Sequence, residues 1–544
     1  MKSSSDSEGV GRSGLTRREL LRAGAAAGLG VGLLGSGVVA SGCGEGETAA
    51  SASPSAAAGS VKPGGIFTLA TDQLFPKDSL DPLTNITDGV DALEGMLREG
   101  LVTYDFTFTP QPRLAESWDV NADSTEYTFH LRPNVTWHDG TPFTAKDAEW
   151  SIQRILDPDS VSGLHDRLLS SVDPDGVQVI DDLTLKLALK RPDSLILHPL
   201  SNQQGYMTKA DDKDFEAGIG TGPFKLKSWT PGTSYEVEKN TSYWLPDRPY
   251  LDGVRGVSIP EASTKLQAVA TGQADVTQIA FDQLPVVKAN AELQIDKYEK
   301  GIMYCAVMLT TAKPWTDGRV REAIKRSLDR DKVMQVAYAG EAFASPDSCV
   351  AMGDPYMDDA LIARTTMDRA AAEKLMAEAG FPNGIDLELK YPGDPLHANF
   401  GLAVAAGLKG SPFRVTPKAV PADTYWDTIW MKDPFCVDDW NRRHPVETMN
   451  LQVKSDAPWN ETQWKSPEMD ALLDKALATP IGPEQDAITT EACLWQSQGA
   501  GNGDGGSGEL IPAYLNRLWV SRVGTVVVPW TFSMIDFRQT GHGA

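Results

Sequence analysis

Two periodicities take turns along the chain. Apolar residues at every second position in Ile66-Phe67-Thr68-Leu69-Ala70, behind Gly64-Gly65, and in Tyr127-Thr128-Phe129-His130-Leu131 predict strands. Val135-Thr136-Trp137 is expected to pair back ahead of an Asp139-Gly140 turn. Spacings of three and four predict helices. One is capped by Thr144 with Asp147 at the third position and carries the stripe Ala148, Ile152, Ile155 and Leu156. A second carries Val320, Ala323, Ile324 and Leu328, and a third carries Ala372, Leu375, Met376 and Ala379, ending at Gly380. A fourth opens on Ser466-Pro467 and shows Met469, Leu472, Leu473 and Ala476. Segments 512–519 and 524–530 are β-branched and aromatic, as strands are. The stripes are core positions and carry no chemistry. Alternation of helix and strand without a repeat predicts α/β lobes built on sheets. Two segments break the pattern. The glycine-rich run 499–508 reads as a mobile loop, and 396–418 reads as short of a full helix-and-strand unit.

Length and charge narrow the class. The 544 residues suit two or three fused domains. The formal charge is −24, and removing residues 1–42, with five basic and three acidic side chains, leaves −26. Such a surface repels phosphate backbones and anionic lipid, so no nucleic-acid partner is expected. The seven histidines are scattered without metal-ligand spacing, and neither metal nor cofactor is expected. Of five cysteines, Cys43 belongs to the N-terminal segment. Cys305, Cys349, Cys436 and Cys493 allow two disulfides in three connectivities.

The first sixty residues read as an address. Thr16-Arg17-Arg18-Glu19-Leu20-Leu21 has the twin-arginine export pattern, with Arg17 and Arg18 as the export signal. A charge-free Gly/Ala-rich run, 23–41, follows and ends in Ala40-Ser41-Gly42-Cys43. This resembles a lipobox, with Cys43 as the lipidated residue and Ala40 where leucine is usual. Residues 1–42 are therefore expected to be a lipoprotein signal peptide, and 43–60, rich in Ala, Ser and Pro, a flexible tether. An uncleaved anchor helix or a plain signal peptide is the alternative. Gly30-Val31-Gly32-Leu33-Leu34-Gly35 matches a dinucleotide fingerprint, but within an export segment it has no strand and helix to act between.

Catalytic motifs are missing from the linear sequence. It holds no H-E-x-x-H, G-x-S-x-G, phosphate-loop or Cys-x-x-Cys pattern. A triad is spatial rather than sequential, so this shifts weight towards binding without excluding an enzyme.

Several segments in fixed order carry a resemblance. They are Ser79-Leu80-Asp81-Pro82, Glu99-Gly100-Leu101-Val102 and Pro112-Arg113-Leu114-Ala115-Glu116-Ser117-Trp118. Trp137-His138-Asp139-Gly140-Thr141-Pro142, Gly220-Thr221-Gly222-Pro223-Phe224 and Thr271-Gly272-Gln273-Ala274-Asp275-Val276 follow, and Asp317-Gly318-Arg319-Val320-Arg321-Glu322-Ala323-Ile324 extends the series. Together they resemble the family 5 extracellular solute-binding proteins, the dipeptide-, oligopeptide- and nickel-binding subunits of ABC importers. The resemblance implies a two-lobed α/β periplasmic-binding-protein-like fold (class II) with a central cleft. Lobe I would be 61–300 with an extra subdomain near 101–215, lobe II 301–510, and 511–544 would return to lobe I. It implies a monomer that captures peptides or peptide-like solutes, is held by lipid at the outer face of the cell membrane, and delivers to a permease whose ATPases are separate chains. The same fold serves nickel–chelator complexes, haem, oligosaccharides or opines; a secreted hydrolase or a sensor ectodomain is the reading outside this class. Cys436-Val437-Asp438-Asp439-Trp440-Asn441-Arg442-Arg443-His444-Pro445 resembles the D-W-x-x-R pocket segment of some relatives, through Asp439, Trp440 and Arg443. Family peptide binders pair the ligand amino terminus with an Asp from this region, which implies Asp439 or Asp438. The chemistry suits a zwitterion: a carboxylate for an ammonium, an indole for apolar packing, a guanidinium for a carboxylate.

Overall fold

The structure, a computed structural model, describes residues 61–71, 74–84, 88–501, 503–529 and 535–543. Arg17, Arg18 and Cys43 lie outside the described residues, as does Trp530.

Most of the predicted strands and helices form where the periodicities put them, but of the strand expected over 524–530 only Thr525–Val526 forms among the described residues. Ile66–Thr71 and Glu126–Leu131 are strands. The expected return after 135–137 is a single bridge, Thr136 to Pro142, around Gly140 at φ +87°. Helix Ala145–Leu156 begins with the Thr144/Asp147 capping box and buries Ala148, Ile152, Ile155 and Leu156. Helix Gly318–Ser327 buries Val320, Ala323 and Ile324, and helix Pro467–Ala478 is capped by Ser466 Oγ, which accepts from Met469 N at 3.2 Å.

Strand order explains how two lobes share one framework. The large sheet has eleven strands. At one end lie Phe413–Val420, Ile385–Pro392 and Phe435–Asn441, and at the other Val276–Ile279, Ile66–Thr71, Gly253–Ser258, Ser234–Lys239 and Phe224–Thr230. Leu293–Met308 and Glu509–Arg522, the two longest strands, run antiparallel between these ends. Their ladder is broken twice, between Tyr304 and Ala306 and, more widely, between Tyr298 and Ile302. Tyr298 pairs with Arg517 and Ile302 with Leu515, so residues 299–301 stand opposite Asn516 alone. Lys300 sits in this bulge at φ +57°, and its N–H donates to Asn516 Oδ1 at 3.1 Å. A Cβ on Gly301 would lie 2.6 Å from the Tyr298 ring, so the position takes only glycine without rearrangement.

Cores follow the same division. Phe67, Leu93, Tyr235 and Trp519 pack at one end of the sheet; Tyr304, Val320, Phe400 and Val437 pack at the other. A separate core, with Tyr127, Phe129, Trp137 and Leu187, belongs to a four-stranded antiparallel sheet built from Ala115–Val120, Glu126–Leu131, Thr184–Leu189 and Val172–Asp181.

Three expectations are corrected. Residues 396–418 are not short of a unit, because helix Pro395–Gly407 and strand Phe413–Val420 fill the segment. Its helix is rich in alanine and glycine, which weakens the apolar stripe. Within the 499–508 run, residues 503–508 are not a loose loop. Gly505, Gly506, Ser507 and Gly508 are buried, and their carbonyls serve cations from helix Gly318–Ser327. Lys325 Nζ donates to Ser497 O, Gly505 O and Ser507 O at 2.9–3.0 Å, and Arg321 Nε donates to Gly506 O at 3.2 Å. A Cβ on Gly318 would lie 2.0 Å from Asp504 O, so glycine is what lets this loop close on the helix. Finally, Cys305, Cys349, Cys436 and Cys493 form no disulfide; all four are buried thiols in one core.

Candidate functional site

Strand Phe435–Asn441 organises the site through its pleat. Successive side chains point to opposite faces, so 436, 438 and 440 share one and 435, 437 and 439 the other. Pairing with Leu293–Met308 fixes the phase: Asp438 stands opposite Cys305, Asp439 opposite Tyr304 and Trp440 opposite Met303. The sequence-predicted residues therefore part company. Asp438 and Trp440 enter the core containing Met303, Cys305, Trp430 and Trp464, whereas Asp439 faces the other side, beside Tyr304.

On the first face, Asp438 is fully buried. The Trp430 indole N–H lies between two carboxylates, 2.9 Å from Asp438 Oδ2 and 2.8 Å from Glu461 Oε2. Trp440 Nε1 donates to Glu461 Oε1 at 3.3 Å, and its ring lies 5.7 Å from that of Trp459. The result is an acidic point walled by indoles.

Immediately past the strand, Arg442 keeps the same phase. Its backbone N–H donates to Gly301 O at 3.0 Å, and its Nη2 donates to Asp354 Oδ1 at 2.7 Å. Lys300 Nζ reaches the same oxygen, also at 2.7 Å. Asp354 Oδ2 accepts from Ala351 N at 2.9 Å, so a tight turn holds the carboxylate in place. The Arg442 guanidinium lies over the Phe108 ring at 4.7 Å, and Lys300 Nζ over Phe343 at 5.0 Å. Arg443, by contrast, is part-exposed and its Nη1 donates to Asn441 O at 3.2 Å.

On the second face, Asp439 Oδ1 is 2.9 Å from His397 Nε2, and His397 Nδ1 is 2.8 Å from Asp394 Oδ2. Asp394 also caps helix Pro395–Gly407 through the Leu396 and His397 N–H groups. Burial opposes a charge on His397, but hydrogen bonds to the two carboxylates outweigh it and raise its pKa to about 10. The imidazolium thus ties the helix start to the strand, from behind.

The four-stranded subdomain closes over the first face. Phe108 lies 6.0 Å from His444, and His198, stacked at 3.7 Å on Tyr104, lies 5.3 Å from His444. Tyr356 Oη is 2.8 Å from His444 Nε2. Burial holds both imidazoles neutral, lowering His444 to about 3 and His198 well below its ordinary value. Beside them Arg167 bridges Asp193 at 2.8 Å and Glu447 at 3.0 Å. Leu195 is buried in the core that holds Met303, Trp430 and Trp464.

Of the residues absent from the sequence reading, Lys300, Asp354, Glu461 and Phe108 come from other segments of the chain, and Trp430 lies eight positions before Asp438. Arg442 was within reach, since extending the period of two from Asp438 and Trp440 arrives at it.

Comparison with known proteins gives this arrangement its context. Residues 109–454 match the family model for bacterial extracellular solute-binding proteins, family 5 Middle. The periplasmic oligopeptide-binding protein OppA of Escherichia coli K12 is 28% identical over 442 residues, covering 73% of this chain and 79% of that protein. The glutathione-binding protein GsiB of Pectobacterium atrosepticum is 29% identical over 326 residues, covering 57% of this chain and 61% of that protein. Among solved structures, the substrate-binding protein CtaP of Listeria monocytogenes superposes with a TM-score of 0.75 at 20% identity, over 88% of this chain and all of that one. DppA of Helicobacter pylori, solved with the peptide STSA, superposes with a TM-score of 0.67 at 21% identity, over 89% and 99% of the two chains. The fold is that of the two-lobed extracytoplasmic binding proteins, and the family model spans well over half of the sequence. The chain belongs to the family 5 extracellular solute-binding proteins of bacteria, which bind solutes for transport rather than transform them.

Proposed function

We propose that this protein is the receptor of an ABC importer for peptides or peptide-like solutes, which it takes between its lobes and hands to a separate permease. The observation that carries the reading is one face of strand Phe435–Asn441. There a buried carboxylate, Asp438 with Glu461 beside it, is followed by Trp440, against the surface where Phe108 of the subdomain arrives. In this reading Asp438 takes the ligand ammonium, Trp440 packs against its apolar part and Arg443 lies at the rim. Asp439 supports the strand through His397. Relatives named for oligopeptides and glutathione, and a structural neighbour holding a tetrapeptide, support the choice of solute class.

Lobe I is proposed as 61–300 with the 101–215 subdomain and the returning 511–544, and lobe II as 301–510. The 299–301 bulge is then the hinge, because a ladder interrupted there bends at least cost. Residues 1–42 are proposed as a twin-arginine leader read through Arg17 and Arg18. Cys43 would carry lipid and 43–60 form the tether, so that a monomer is held at the outer face of the cell membrane.

Native mass spectrometry of the mature protein tests the solute assignment. A heterogeneous set of peptide masses, released intact on denaturation, is expected. A co-purifying metal chelate or sugar would overturn the solute class, and reproducible peptide cleavage by the purified protein would overturn the binding role.

A further inference from the structure

We infer that Glu509 is a proton-carrying positioning residue behind the proposed ammonium site: a neutral acid in the empty protein, it releases its proton when a cation settles on Asp438. This rests on the proposed solute class and adds to it a linkage between solute and proton.

Strand pairing brings Glu509 behind Asp438. Val307 stands opposite Cys436 on one side and opposite Glu509 on the other, so the three side chains share a face. Asp438, two residues on from Cys436, shares it too. The strands of Glu509 and Asp438 are separated by one strand, about 10 Å across the sheet. Both side chains are fully buried. A charge on one is felt by the other, because buried groups are screened little.

Neutral donors surround Glu509. Gln452 Nε2 lies 2.6 Å from its Oε1, while Gln496 Nε2 at 2.6 Å and Ser507 Oγ at 3.1 Å reach its Oε2. Among the described residues neither a lysine nor an arginine donates to it. The cation whose charge it feels is Lys325, and the three ammonium protons there go to the carbonyls of Ser497, Gly505 and Ser507. A carboxylate buried without an ion pair is costly, and a proton removes the cost.

The amide of Gln452 gives that proton an acceptor. Gln496 is fixed in orientation, because its Oε1 accepts from the Cys349 N–H at 3.0 Å and from Ser348 Oγ at 2.7 Å. Gln452 Oε1, in contrast, is buried without a partner. A half-turn exchanges the oxygen and nitrogen of an amide. Turned in this way, the Gln452 carbonyl accepts from Glu509 Oε1 at a separation within the range of an O–H···O bond. The Cys349 thiol, at 3.8 Å, becomes its second donor.

Electrostatics act in the same direction. Burial pushes the Glu509 carboxyl up and the charge of Asp438 adds to this, against Gln496, Ser507 and Lys325. The remaining titratable neighbour, Cys349, stays a thiol, because burial raises it well above its ordinary value and the charges of Glu509 and Glu461 add to that. A cation on Asp438 cancels the charge that favours the Glu509 proton, and the proton leaves.

The first test needs no ligand. Infrared difference spectra of the empty protein against Glu509→Gln at about pH 7 should show the carbonyl stretch of a carboxylic acid, shifted in deuterium oxide and lost as pH rises. Asp438→Asn removes the charge that a bound cation would cancel, so there the band should vanish at lower pH. Absence of the band overturns the neutral acid, and an unmoved midpoint in folded Asp438→Asn overturns the coupling. Glu509→Gln, an amide in place of a neutral acid, should melt near wild type at this pH; a much lower melting temperature marks a lost charge and overturns the inference. Calorimetry then follows tri- and tetrapeptides from about pH 5.5 to 7, where their amino termini stay protonated, in buffers of different ionisation heat. Wild type should release protons on binding free-amine peptides and bind them severalfold more tightly at the upper pH, whereas Glu509→Gln should show neither effect. Equal proton release in the variant overturns the inference. If no peptide binds wild type, the peptide reading fails, and the linkage of Glu509 to Asp438 stands or falls by the infrared midpoints.

Discussion

At the scale of single residues, neighbours in sequence carry opposite duties. Asp438 and Asp439 are chemically identical, yet one faces Trp430 and Glu461 and the other His397. Asp438→Asn is expected to cost about 2–5 kcal/mol of peptide binding with a small change in apo melting. Asp439→Asn is expected to lower apo stability by about 3–5 kcal/mol, because it leaves His397 with one carboxylate instead of two in a buried place. Calorimetry beside apo melting separates the two, and equal losses of binding in both variants would contradict the division. His397 also gives the fold a pH signature. Its pKa rises from an ordinary 6.5 to about 10 on folding, so its contribution is complete below about 6.5 and is lost as pH climbs towards 10. Denaturant unfolding from pH 6.5 to 9.5 should show a decline that His397→Gln flattens.

At the scale of elements, the glycine-rich segment shows how composition misleads. Ten residues with six glycines carry almost no apolar signal, and hydropathy alone reads them as solvent-facing. What orders 503–508 is backbone: the carbonyls of Gly505 and Ser507, with that of Ser497, close on Lys325, whose pKa burial lowers to about 8, and that of Gly506 on Arg321. Lys325→Met should leave those carbonyls without their donor and destabilise the protein by about 3 kcal/mol or more. Chemical denaturation measures this, and hydrogen exchange should show 503–508 losing protection first. An unchanged midpoint would mean that the loop holds itself.

At the scale of the molecule, the four-stranded subdomain meets the segment 444–447 over neutral imidazoles and one bridging guanidinium. His444, held neutral down to about pH 3, and His198 beside it must gain protons as the interface opens. Their folded pKa values lie below the unfolded value, so their contribution is complete above about 6.5 and is lost as pH falls towards 3. Near them are Arg167, whose positive charge opposes protonation of His198, and the carboxylates of Asp193 and Glu447, which it already occupies. Small-angle scattering is expected to report a wider molecule at pH 5 than at pH 7, and His444→Phe should remove part of the difference. The anchor is tested at the same scale. Cys43→Ala should release the protein from membranes or leave an uncleaved precursor, and unchanged membrane fractionation would exclude lipid at this residue.

The sequence by itself determined the elements whose causes are local. Thr144 with Asp147 and Ser466 with Pro467 mark helix starts, because a cap satisfies N–H groups within three residues of itself. The buried stripes follow for the same reason: spacing on a helix decides which side chains share a face. The family was legible too, since it rests on the order of short turn motifs. Tertiary structure decided the site. Which of Asp438 and Asp439 points where depends on strand phase, and the phase is set by pairing with residues 302–308, more than a hundred positions away. Phe108, Lys300, Asp354 and Arg442 meet only because two long strands cross between the lobes and a subdomain folds back over them. No local preference encodes such a meeting, because each residue taken alone would be satisfied by water.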